Sequence, residues 1–117
     1  MLPTQQMNLN IWYDAPPEVW EKIPTIYASM EGWRGFSDGV QGEAGVPYWF
    51  SFDESGKQPV LTASVEPSGL FISGNLDDAT WDAWRAKIKR VATQMLGYPV
   101  GELELGEGNY TDGREPR

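Results

Sequence analysis

The 117-residue chain predicts an α+β fold, a two-layer sandwich with an antiparallel sheet of about four to five strands and two helices packed on one face. The predicted order is β-α-β-β-β-α-β. Three observations carry this. Two stretches place apolar residues at helical spacing, one on each side of the middle of the chain. Between them, runs of strand formers are joined by short turns, as in an antiparallel meander. With 40% apolar and 13% aromatic residues, the chain has material for one core.

Residues 1–7 carry no periodic signal and read as an N-terminal extension, with Met7 as an alternative start. A single domain is expected over 8–105. "NLNIWY" (8–13) alternates and reads as the first strand. Asp14 is a candidate helix cap, and Pro16 and Pro17 suit a first helical turn, where no N–H is required. Val19, Trp20, Ile23, Tyr27 and Met30 form the apolar stripe of the first helix. Pro24 sits inside that stripe and clashes with the carbonyl of Trp20, which predicts a kinked or split helix.

Residues 31–47 hold five of the thirteen glycines and read as a long loop, with Trp33, Arg34 and Phe36 unusually large for one. "PYWFSFDE" (47–54) alternates as a strand with an aromatic face. "QPVLTASVE" (58–66) is the next strand, with Leu61, Ala63 and Val65 toward the core. Glu66-Pro67-Ser68-Gly69 reads as a tight turn into a strand at 70–75. The second helix opens at Asp77 or Asp78. Trp81, Trp84, Ile88, Val91 and Met95 form its stripe, and Gly97 ends it. "VGELELGE" reads as a last strand with Glu102 and Glu104 outward, and 106–117 as a flexible tail.

The chain has no cysteine and no histidine. Thiolate nucleophiles, disulfides, His-assisted hydrolysis and His/Cys metal sites are therefore excluded. Ser68 has only Glu66 nearby as a base and no S-x-x-K spacing, so the turn reading prevails. The pairs Asp53/Glu54 and Asp77/Asp78 read as turn and cap residues. The basic run "RAKIKR" reads as a solvated helix flank in a chain of net charge −8. No phosphate loop, signal peptide or membrane-length apolar run is present in the sequence. The expectation is a cytoplasmic, non-enzymatic protein with no cofactor, no metal, and no nucleic-acid or membrane partner.

"PYWF", "ASVEPSGL", the Trp-rich helix ending "ATQMLGYPVGE" and the short acidic tail together resemble a family of small bacterial immunity-type proteins of polymorphic or contact-dependent toxin systems. The resemblance spans 8–107 and implies a protein that binds a cognate toxin and blocks it. An acidic inhibitor suits a basic toxin. The partner-binding residues expected for such a role are Trp33, Phe36, Asp38, Glu43, Asp53, Glu54 and Glu66. The alternative is a small-ligand-binding or carboxylate-based enzyme domain, with Trp20, Trp49, Trp81 and Trp84 lining a pocket near Glu66.

Overall fold

The computed structural model describes residues 2–37 and 45–107. Asp38, Glu43 and the tail from 108 onward lie outside the described residues. The fold is α+β: a five-stranded antiparallel sheet with two helices on one face. The strands are β1 (Thr4–Leu9), β2 (Trp33–Phe36), β3 (Pro47–Trp49), β4 (Val60–Glu66) and β5 (Gly69–Asn75), and the helices are α1 (Pro17–Ala28) and α2 (Asp78–Leu96). The spatial order is β1-β5-β4-β3-β2, all pairs antiparallel. The chain leaves β1 at one edge, crosses through α1, enters β2 at the other edge and meanders back.

Alternation divides the sheet cleanly. Met7 and Leu9, Leu70 and Ile72, Leu61 and Ala63, and Trp49 point to the helices and are buried. Val19, Ile23, Ile26 and Tyr27 of α1, and Trp81, Trp84, Ile88 and Ala92 of α2, close over them. The opposite face carries the register row Gln6, Ser73, Thr62 and Tyr48. No helix among the described residues is long and apolar enough to cross a membrane.

Local chemistry accounts for most boundaries. The Asp77 side chain accepts the Thr80 N–H at 3.0 Å, and Gly97 ends α2 in the left-handed conformation. Pro67 and Ser68 form the two-residue loop between β4 and β5. Gly69, at φ 131°, passes so close to the Leu9 carbonyl that a Cβ there would lie 2.3 Å from its oxygen.

Several elements differ from the sequence expectation. The first strand starts at Thr4, so residues 4–7 belong to the sheet, not to an extension. The cap position of α1 falls on Pro16, two residues beyond Asp14. Pro24 neither splits nor ends α1, because Ile23, Ile26 and Tyr27 around it are anchored in the core. The glycine-rich loop contains β2. β3 stops at Trp49, because Phe50 turns to φ 74° and lays its ring against Gly32. The expected last strand is a single bridge, Leu9 to Glu102, followed by a 3-10 turn (Leu103–Leu105).

Glu102 does not point outward. It is 4% exposed and takes both Arg85 nitrogens at 2.9 Å and the Lys89 ammonium at 2.7 Å. Glu107 adds a second carboxylate to Lys89 at 3.0 Å and accepts the Glu102 N–H at 2.9 Å. Burial pushes the Lys89 ammonium down, but its bonds to Glu102 and Glu107 outweigh that and hold it above the ordinary lysine value. The Glu102 N–H and then Lys89 hold the Glu107 carboxyl below the ordinary carboxylate range. Buried Asn10 completes the tether, donating to the Pro99 carbonyl and accepting the Gly101 N–H, each at 2.9 Å.

A candidate binding cleft beside strand β4

The expected tryptophan pocket is a filled core instead. Trp49, Trp81 and Trp84 are 0%, 3% and 1% exposed. Trp49 meets Tyr27 and Trp84 edge-on at 5.1 Å, and Trp81 stacks on Trp84 at 6.1 Å. The indole N–H groups of Trp49 and Trp84 donate at 3.0 Å to the carbonyls of Tyr27 and Glu31. These rings hold the layers together and leave no room for a ligand.

The open space lies next to this cluster. A cleft of about 380 Å³ runs between α1 and the sheet. One wall is Trp20, Ile23, Pro24 and Tyr27. The other is Phe36 with the segment 45–47. The floor is Ala63, Ser64 and Val65 of β4. Phe36, Val46 and Val65 remain 47%, 42% and 46% exposed around it. Scattered exposed apolar residues are ordinary, but three bordering one apolar concavity form a contiguous patch.

The sequence builds each side of this cleft. Helical spacing aligns Trp20, Pro24 and Tyr27 on α1. In β2, Gly35 breaks the register with β3 and Phe36 reaches the Tyr27 ring at 6.2 Å. Trp33 lies behind it, half-buried between Tyr27, Phe36 and Trp49. Trp20 carries a further mark: its indole N–H is buried and has no hydrogen-bond acceptor among the described residues.

Among the described residues, the one titratable group that lines the cleft is the Tyr27 hydroxyl, which burial raises well above the ordinary tyrosine range. Glu66 follows Val65 but alternates to the other face of β4. It is exposed at the hairpin end and does not line the cleft. Among the described residues no Lys or Arg lines it. Lys22 of α1 is committed to the Met95 carbonyl at 3.1 Å, while Glu21 and Glu66, next in the chain to Trp20 and Val65, stand exposed. Residues 1–84 as a whole carry twelve carboxylates against three cations, because four of the nine Lys and Arg lie on α2.

The remaining expected contact residues sit elsewhere. Asp53 accepts the Ser55 N–H at 2.9 Å, a bond that holds its carboxyl below the usual range, and so builds the 53–56 turn. Glu54 accepts the Tyr48 hydroxyl at 2.8 Å, which raises that phenol. A smaller hollow of about 290 Å³ beside α2 is bordered by the Glu31–Lys87 ion pair and Arg90. Among the described residues, no three carboxylates converge as metal ligands would. Thus Phe36 and Trp20 reach the cleft and Glu66 flanks it. Val46, Val65 and Pro24 were missed, since each reads as an ordinary strand or helix residue until the chain folds. No family model, curated protein or solved structure matches the chain.

Proposed function

We propose that the chain is a non-enzymatic binding protein that holds a cationic protein partner through the cleft beside β4, in the manner of an inhibitor or immunity-type protein acting by occlusion in the cytoplasm. One observation carries the reading: the exposed patch of Phe36, Val46 and Val65 surrounds an apolar cavity that no cation lines among the described residues, with exposed carboxylates next in the chain to its Trp20 and Val65. An apolar anchor in such a cavity supplies affinity, and the acidic surround supplies steering and partner choice. The test compares wild type with Val65→Glu as immobilised bait in lysate of the source cells. The reading expects one basic protein retained by wild type, released by salt and lost with Val65→Glu, at unchanged circular dichroism. Equal retention by both baits, or no specific retention by either, overturns it.

A second reading rests on the cavity volume, which lies in the range of small-ligand sites. It assigns the cleft to a small apolar molecule. Native mass spectrometry separates the two: a bound small-molecule mass present in wild type and absent in Val65→Glu favours this alternative.

A further inference from the structure

The cleft lies along an open strand edge. β4 pairs with β5 over its whole length, Val60 to Glu66, but with β3 only at Leu61 and Thr62. Pro47 stands next in register, opposite Ala63: it has no N–H to offer, but its carbonyl takes the Ala63 N–H in the ladder that flanks the Tyr48–Thr62 pair, so β4 is open only beyond Ala63. The chain before it is bonded to the other side: the Ser37 N–H donates to the Val46 carbonyl at 2.8 Å, and the Val46 N–H donates to the Ser37 hydroxyl at 3.0 Å.

Successive residues of an antiparallel strand aim their backbone groups to alternate sides. Glu66 and Gly69 close a two-residue hairpin loop, so Glu66, Ser64 and Thr62 face β5. Ala63 and Val65 then face the β3 side, where Ala63 meets Pro47 and Val65 meets the cleft. The same assignment follows from the opposite direction. Val46 faces β2, so Trp49 faces β4 and its register partner Leu61 faces β3. Among the described residues, no backbone bond reaches Val65 from the cleft side.

Resting on the reading of the cleft as the partner site, we infer that the partner enters as an extended segment that adds to β4 as an antiparallel strand along Ser64–Glu66, bonded through Val65. An unpaired edge is a ready template for this mode of recognition. Alternation also specifies the segment. A residue opposite Val65 places its side chain on the Val65 face, in the cavity under α1, and must be apolar. Its neighbours fall on the other face, beside Ser64 and the exposed carboxylate of Glu66, and are basic. The motif is therefore basic–apolar–basic, and it agrees with the charge excess of residues 1–84.

The probe is a capped pentapeptide, Lys-Val-Lys-Val-Lys, titrated into the ¹⁵N-labelled full chain. In the added strand, valine amides face β4 and lysine amides face solvent. The expected result is a titrating Val65 amide resonance, affinity lowered about tenfold by N-methylation of the valines, and little change on N-methylation of the lysines. Equal binding of all three peptides overturns strand addition and leaves the cleft as a side-chain site. No binding of the parent peptide, with a partner still captured through Val65, overturns strand addition alone. Loss of both removes both readings. Dimerisation of the free protein that protects the Val65 amide assigns the edge to a second copy and also overturns the inference.

Discussion

β4 is one strand with two different environments. Leu61 and Thr62 pair with β3, and Val60 and Leu61 are buried. Ser64 to Glu66 have β5 on one side and the cleft on the other, and Val65 is nearly half-exposed. Backbone partner and residue type barely change along the strand, since Leu61, Ala63 and Val65 are all apolar and all on the helix-facing side. What changes is β3, whose first residue, Pro47, stands opposite Ala63, so that β3 does not reach Val65. The far edge of the sheet shows the alternative solution: β1 is covered by the segment 98–107, tied down through Asn10 and Glu102. The molecule closes the β1 edge with a buried polar clamp and leaves the end of β4 that lies beyond β3 open on its cleft side. An open apolar edge is a liability in a protein that does not use it.

Substitutions that break the closed regions and spare the open one sharpen this contrast. The largest effect is expected for Trp49→Ala, which empties the ring cluster beside the paired half of β4 and removes about 3–5 kcal/mol in urea unfolding. Glu102→Ala comes next. It leaves Arg85 and Lys89 without their shared buried carboxylate and costs about 3 kcal/mol. Val65→Glu, at the open half, changes stability by about 0.5 kcal/mol or less while abolishing partner retention. A loss comparable to that of Trp49→Ala would show that Val65 is a core residue and not a contact residue.

The smallest effect is a matter of pH. The Glu107 carboxyl is depressed in the folded state, so its contribution to stability is present above the ordinary carboxylate value and lost as pH falls through the lowered one. Lys89 is raised, so its contribution is complete below the ordinary lysine value and lost only as pH rises through the elevated one. Thermal melts of Glu107→Gln should therefore differ from wild type at neutral pH and converge with it in acid. A difference that persists unchanged below about pH 3 would contradict the clamp.

Where local chemistry decides, the structure follows the sequence closely. The 3–4 spacing from Trp81 to Met95, the Asp77 cap, the Gly97 stop and the Pro67–Gly69 turn all stand where their side chains place them. β2 was hidden because it is four residues long and contains Gly35. "VGELELGE" has strand alternation, but it bridges β1 at one residue before the 3-10 turn. Six tryptophans announced a large aromatic surface without saying which way it faced, and three of the four proposed for a pocket became core. The cleft itself was not legible. It arises where β3 runs out, and that depends on register between segments far apart in the chain.

Residue-resolved amide exchange on the free protein tests the open half of β4 most directly. Leu61 and Val65 point their N–H groups to the same side of the strand, and only Leu61 has β3 to receive it. Val65 should exchange at least about a hundredfold faster than Leu61, with Ser64 slow because it faces β5. A Val65 amide as protected as that of Leu61 would mean that the edge is closed, and the cleft would lose its standing as a binding site.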